Sequence, residues 1–262
     1  MAIRSALINV MCKAADKAAR SLRRDFGEVE QLQVSQKGPA DFVSTADHKA
    51  EKLIKEELKK GRPSFGFLME ESGEEAGSDA DSRWIVDPLD GTTNFLHGIP
   101  HFCISIALEV RGEIAAGVVF DPIKDELFYA EKGAGAFLND RRIRVSGRKN
   151  LNESLLATGI PFRGHGHIER FQKQMDKAMR ETAGIRRFGA AALDLAYVAC
   201  GRYEGFWEEF LSPWDLAAGL LLVKEAGGYV SDFKGKPVVL ATGEILASNN
   251  TLHAPIQNLI SH

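Results

Sequence analysis

Residues 84–95, WIVDPLDGTTNF, constrain this chain more than any other stretch. Trp84, Ile85 and Val86 read as a buried strand, and Leu89 adds another apolar side chain. Two carboxylates, Asp87 and Asp90, end the same run. Acids at the end of a buried strand are costly unless they are paired, metal-bound or solvated. The Gly91-Thr92-Thr93 that follows offers backbone N–H groups and hydroxyls, which suit an anion. Acids beside anion donors make sense where a metal ion sits between them.

The spacing of the two acids narrows the chemistry. Phosphatases that form an aspartyl intermediate use D-x-D-G-T, with the acids two apart. Here they are three apart around Pro88, which argues for two metal ligands on a turn and against an aspartyl nucleophile. Three more acidic clusters border strongly apolar segments. They are Asp41 and Asp47 in DFVSTAD, Glu70 and Glu71 in FLMEES, and Asp215 in SPWDLAAG. Taken singly, each is explained as a helix-start charge or a solvated strand end. Taken together, they lie at the edges of a core, and convergent hard oxygen ligands suit Mg²⁺.

Composition removes several alternatives. A net charge of −3 gives no reason to expect nucleic acid or an anionic membrane as the main partner. Cys12, Cys103 and Cys200 are far apart and lie in apolar patterns, without zinc spacing. Free buried thiols in a reducing cytosol are therefore expected. Arg4, Lys13, Asp16 and Lys17 interrupt the apolar N-terminus, so it does not read as a signal peptide. The longest near-apolar run, residues 216–223, is too short to span a bilayer. EKGAGAF holds a G-x-G, but among strands it reads as a hairpin turn and not as a dinucleotide loop.

The periodicity changes part-way along. Ile3, Leu7, Val10, Met11, Ala14, Ala18 and Leu22 predict a helix closed by Gly27. A second helix starts at Ser44-Thr45 and ends at Gly61. Strands follow at 65–69, 83–86, 103–110, 114–121, 126–131 and 136–139, with turns at Arg111-Gly112 and Asp121-Pro122, as in an antiparallel meander. Beyond residue 145, strands near 155–158, 184–188, 204–208, 229–232 and 245–248 alternate with helices near 166–182, 190–200 and 214–226. That alternation implies an α/β layer. The expected division is residues 1–145, carrying an antiparallel sheet and most of the acids, and residues 146–262, completing the site. His165 and His167 in RGHGH read as a surface loop.

WIVDPLDGTTNF resembles the first signature of the inositol monophosphatase family, and SPWDLAAGLLLVKEAGG resembles its second. KGPADFVSTAD and FLMEES match the family's intervening loop and acidic strand in the same order, and RRFGAAALDLAYVACGRYEGFWE is similar to its bacterial, broad-specificity branch. The resemblance implies an α+β or α/β fold. Specifically, it implies a five-layered αβαβα sandwich of the inositol monophosphatase/fructose-bisphosphatase type. It also implies Mg²⁺-dependent, lithium-sensitive hydrolysis of a phosphate monoester, with myo-inositol monophosphate as first candidate. Two or three ions are implied. Glu70, Asp87 and the Leu89 carbonyl would hold one, and Asp87, Asp90 and Asp215 a second, with a looser third near Glu70. Thr92, oriented by Asp47, would hydrogen-bond the attacking water. Gly91, Thr92 and Thr93 would meet the phosphate, while Asp90, Gly189, Ala191 and Glu208 would line the alcohol side.

One position departs from the pattern: Ala190 stands where many members carry Ser or Thr, which removes a hydroxyl from the substrate side. Activities on the same fold that compete with the inositol reading are a 3′-phosphoadenosine nucleotidase, a fructose-bisphosphatase and a histidinol-phosphatase. A regulatory partner of RNA or transcription complexes is the rival from outside enzymology. The resemblance further implies a cytoplasmic homodimer acting on a small phosphorylated polyol or sugar.

Overall fold

A computed structural model describes residues 4–28, 34–36, 42–162 and 166–261, with the backbone alone at 34–36 and 42–44. Asp41 and His165 lie outside the described residues. Helix α1 spans Ala6–Phe26 and α2 spans Thr45–Gly61. Ser5 opens α1 by accepting the Ile8 N–H at 3.1 Å, a standard N-cap bond. Of the apolar stripe read from the sequence, Met11, Ala14, Ala18 and Leu22 are inaccessible, while Leu7 and Val10 are half-buried and Ile3 lies outside the described residues; Ile8, not part of that stripe, is buried as well.

The first sheet carries eight strands. In chain order these are β3 (Phe65–Met69), β4 (Gly73–Glu75), β5 (Asp79–Asp90), β6 (Cys103–Val110), β7 (Glu113–Asp121), β8 (Glu126–Glu131), β9 (Gly135–Leu138) and β10 (Arg141–Arg142). A short pair, β1 (Val34–Gln36) and β2 (Phe42–Ser44), stands apart. The meander is antiparallel from β5 to β10. Arg111 and Gly112 both have positive φ, 53° and 76°, as a two-residue turn with the twist of its strands requires. The antiparallel expectation fails at one place: β3 runs parallel to β5. The intervening chain returns through the edge strand β4, so β3 and β5 end on the same side. Trp84 is fully buried on β5, a burial of about 2–3 kcal/mol.

The second sheet has five strands: β11 (Leu155–Thr158), β12 (Gly184–Arg186), β13 (Gly205–Glu208), β14 (Tyr229–Ser231) and β15 (Ile245–Ser248). Its order is β12-β11-β13-β15-β14. The β11 pairings are parallel and the β15 pairings antiparallel, so the sheet is mixed. Helices α4 (Ile168–Glu181), α5 (Ala191–Ala199), α6 (Pro213–Glu225) and α7 (His253–Ile260) connect or follow these strands. Periodicity alone predicts neither α7 nor the one-turn helix α3 (Thr92–Leu96), whose start at Gly91–Thr93 the family resemblance implies. Both are shorter than the window in which a helical period stands out.

Three apolar clusters separate five layers. One joins α1 and α2 to the outer face of the eight-stranded sheet. The second fills the space between the two sheets, where α5 and α6 lie. The third covers the far face of the second sheet with α4 and α7. The order is therefore αβαβα, as the resemblance implied. Helices α5 and α6 are apolar on every side because a sheet covers each face. A Cβ on Gly117 of β7 would lie 2.9 Å from Ala218 Cα, and one on Gly219 would lie 2.5 Å from Leu195 Cβ. Small residues thus let α6 approach both the sheet and α5.

Candidate active site

The acids gather where β3 and β5 end. Met69 pairs with Val86, so the next residues on each strand, Glu70 and Asp87, are level. Asp87 to Asp90 is an odd spacing, and on a regular strand it would send the carboxylates to opposite faces. The pairing shows why it does not: Asp87 faces Ser105 and Asp90 faces Cys103, three steps on β5 against two on β6. One extra residue forms a bulge that turns Asp90 back to the Asp87 side. Pro88 fits there because a bulge releases an N–H from the ladder. The Leu89 N–H closes the turn by donating to Asp87 Oδ1 at 2.8 Å.

Asp215 arrives from the other side of the chain. It lies in the first turn of α6, and Asp215 Oδ2 accepts the Ser212 N–H at 2.7 Å. Ser105 Oγ of β6 donates to the Trp214 carbonyl at 3.0 Å, tying the helix start to the sheet beside Asp87's partner residue. Oxygens of Asp87, Asp90 and Asp215 all lie within 4.8 Å of one another. Asp87 is 2% exposed and Asp90 is 8% exposed. Among the described residues, no Lys or Arg forms an ion pair with any of the three.

Burial and crowding raise these carboxylates together. Asp87 is pushed well above the usual carboxylate range, first by burial and then by Glu70, Asp90 and Asp215. Asp215 is raised well above that range by burial and by Asp90. Asp90 is raised only to about 6: burial raises it, while the N–H of Ala192, the Cys103 thiol and neighbouring amides hold it down. The Cys103 thiol donates to Asp90 Oδ2 at 3.7 Å, and burial keeps it protonated. The donor set is therefore carboxylate oxygen, which matches a hard cation and not a thiolate-seeking one. A divalent cation relieves the repulsion that three buried acids otherwise carry, so these residues fit the Mg²⁺ that the sequence implied.

A cleft of about 600 Å³ opens beside the acids. Glu70, Asp90 and Asp215, the Gly91–Thr93 turn, and Gly189, Ala191 and Glu208 all line it. Asp87 and Leu89 are buried rather than part of that wall. Asp47 is also buried, 1% exposed, in the first turn of α2. Thr92 Oγ1 donates to the Leu89 carbonyl at 2.9 Å. Gly91 has φ +93°, and a Cβ there would lie 3.1 Å from the His101 carbonyl oxygen, so glycine suits the turn on both counts. His167 is exposed at the N-cap of α4.

Several residues with no motif of their own complete the site. Asn94 Nδ2 donates to the carbonyls of His101 at 2.8 Å and Phe188 at 2.7 Å. It thereby ties the Gly91–Thr93 turn to the segment leading into α5. Gly159 makes room for Glu208: a Cβ at 159 would lie 1.8 Å from Glu208 Oε1. Arg187 lines the cleft beside Glu208 and, among the described residues, closes no ion pair within 4 Å. Burial pushes Glu208 up to about 8; Arg187 opposes that rise and Asp90 adds to it. Glycine clusters and a lone Asn carry no sequence signal for these roles, because each role depends on a distant segment.

The comparisons agree with this architecture. A family model described as "Inositol monophosphatase family" matches residues 4–261. An inositol-1-monophosphatase of Rhizobium meliloti (strain 1021) is 57% identical over 257 residues, covering 98% of this chain and 97% of that one. A protein of Pseudomonas aeruginosa named Nus factor SuhB is 47% identical, covering 93% and 91%. The solved structure of the extragenic suppressor protein suhB from Bartonella henselae superposes with a TM-score of 0.95 at 57% identity, covering 98% and 99%. Fold and relatives define a metal-dependent phosphatase, a phosphoric monoester hydrolase. The chain belongs to the inositol monophosphatase family.

Proposed function

We propose that the protein hydrolyses myo-inositol monophosphate to inositol and phosphate, using Mg²⁺ held by the acid cluster. The observation that carries this reading is the convergence of Asp87, Asp90 and Asp215 beside the Gly91–Thr93 turn in one cleft. In this reading Glu70, Asp87 and the Leu89 carbonyl would hold one ion, and Asp87, Asp90 and Asp215 would hold another, with a third near Glu70. Bound there, the ions lower the pKa of water and neutralise phosphate charge. The chain's own groups do the positioning. Thr92 spends its single proton on Leu89, so toward a water its hydroxyl can only accept, which orients the water's lone pair. Amides of the Gly91–Thr93 turn meet the phosphate oxygens. Asp90, Gly189, Ala191 and Glu208 face the alcohol.

The relatives named inositol-1-monophosphatase support the substrate. A phosphate-release screen over monoesters tests it: inositol monophosphate should lead on kcat/KM. A lead by a 3′-phosphoadenosine, fructose bisphosphate or histidinol phosphate would replace it with one of those activities. A cytoplasmic homodimer is proposed from the family resemblance; no described helix is long and apolar enough to cross a membrane. The proposed division at residue 145 is supported by the passage of the chain from one sheet to the other between β10 and β11.

The relatives named Nus factor SuhB support a second reading, a regulatory partner in RNA or transcription complexes. Pull-downs with wild type and Asp87→Asn separate the two. Capture that survives the substitution while turnover is lost assigns the partner role to a surface other than the acid cluster.

A further inference from the structure

Phe210 stands at the mouth of the cleft in a conformation that its own side chain disfavours. Its φ is +67°, in the left-handed region where a bulky residue crowds its backbone. Arg111, Asp125, Asn139 and Asp140 share that region, so Phe210 is its only apolar side chain among the described residues. The surroundings hold it there. The Leu211 N–H donates to the Gly243 carbonyl at 3.0 Å, and a Cβ on Gly243 would lie 2.2 Å from the Leu211 oxygen. On the other side Glu209 accepts from Arg170 and from the His167 N–H, each at 3.2 Å. Glycine would occupy position 210 without strain. The chain carries a phenyl ring instead, and 53% of that residue is exposed, so burial does not repay the strain. A strained residue that the fold leaves open is a pointer to function.

The ring lines the cleft, edge-on to His167 with centroids 5.5 Å apart. Ile160, 47% exposed, and Phe162, 39% exposed, line the same cleft. The three are continuous with the alcohol side of the site. Strands β11 and β13 are parallel neighbours with Thr158 opposite Trp207, so Gly159 and Glu208 come next on each. Ile160 follows Gly159, and Phe210 stands two residues past Glu208. A carboxylate that meets hydroxyls is thus bordered by an apolar rim. A polyol, with hydroxyls all round, finds no partners on that rim, whereas an aromatic ring does.

We propose that Phe210, with Ile160 and Phe162, forms a second leaving-group subsite for an aromatic ring carried by the alcohol. Phosphate monoesters of ring-bearing alcohols are then substrates alongside plain polyol phosphates. The proposal rests on the phosphatase reading and adds no new chemistry. A water oxygen bonds to phosphorus as the bond to the alcohol oxygen breaks, and the alcohol oxygen takes up a proton, giving free alcohol and inorganic phosphate.

The test measures kcat/KM for 2-naphthyl phosphate and for inositol monophosphate in wild type, Phe210→Gly and Phe210→Leu, with Mg²⁺ present. The naphthyl-to-inositol ratio should fall about fivefold in the glycine variant, the order of one aromatic pair, and less in the leucine variant. The fall should lie mainly in KM, because the ring contact is the same before and during bond breaking. The glycine variant should melt no lower than wild type, since the left-handed strain is gone. An unchanged ratio overturns the proposal alone. So does a lower melting temperature with equal losses on both substrates, which would make the ring part of the fold. Wild-type protein that releases phosphate from no monoester overturns the phosphatase reading and the subsite with it.

Discussion

The Ala192 N–H donates to Asp90 Oδ2 at 2.8 Å across 102 residues of sequence. Ala190, the N-cap of α5, has no side-chain oxygen to offer that helix start. Asp90 takes over the capping role from the end of β5. With the Cys103 thiol and the neighbouring amides, the bond helps hold Asp90 the least raised of the three clustered acids. It also joins the α5 end of the cleft, where Ala191 lies, to the acid cluster itself.

Crowded buried acids make the metal a stabilising ligand. Raised carboxylates cost stability as pH rises through their folded pKa values, so at neutral pH the cluster opposes folding until a cation binds. Mg²⁺ at about a hundredfold above its Kd should add about 2.7 kcal/mol, roughly 5–10 °C in Tm for a chain of this size. Asp215→Asn should shrink that shift in calorimetry. An equal shift in both proteins would place the ion elsewhere.

Asp87 is the acid common to both proposed ion sites. Asp87→Asn keeps the shape and the acceptor for the Leu89 N–H but removes the charge. Turnover at saturating Mg²⁺ should drop below about a tenth of wild type, with unchanged circular dichroism. A variant that keeps more activity than that counts against the two-ion assignment.

Glu208 separates substrate from chemistry. Glu208→Gln should lower kcat/KM for a polyol phosphate by about 1–3 kcal/mol, and much less for an aryl phosphate lacking hydroxyls. Gly159→Ala should act in the same direction, because its Cβ would stand 1.8 Å from Glu208 Oε1 and force the carboxylate aside. Equal losses on both substrates would assign Glu208 to the fold or the chemistry.

Asn94 joins three segments through one amide. Asn94→Ala leaves the carbonyls of His101 and Phe188 without that donor, at a cost of about 1–3 kcal/mol. Urea unfolding with Mg²⁺ present measures it. A midpoint equal to wild type would show that the two carbonyls find other donors.

His253 makes the fold sensitive to acid at a place far from the cleft in chain order. Its Nε2 lies 2.8 Å from Ser231 Oγ and its Nδ1 lies 2.7 Å from Ser248 Oγ. Burial pulls it down from 6.5 to about 4. Between those values the unfolded chain binds a proton that the folded chain refuses. Its contribution is therefore whole above pH 6.5 and declines as pH falls toward 4. The stability gap between wild type and His253→Asn should narrow by about 2 kcal/mol from pH 7 to pH 4.5. A gap that stays constant would show that the ring does not titrate in this range.

Local pattern determined much of this protein. The apolar stripe of α1 and the strands from β5 to β9 follow from short-range periodicity, which burial enforces residue by residue. The Arg111-Gly112 turn follows from the same local rules. The acidic signatures were legible because each acid interrupts an apolar run that ought not to hold one. Tertiary structure alone decided the rest. The Asp87–Asp90 bulge exists only against β6, and the parallel β3–β5 pair depends on a crossover that no window of sequence contains. The cap on α5 comes from Asp90, and the seat of Glu208 is Gly159, each supplied by a distant segment. Phe210 looks like an ordinary apolar residue until its backbone angle is seen, because the strain there is imposed by Gly243 and the neighbouring loop and not by its own sequence.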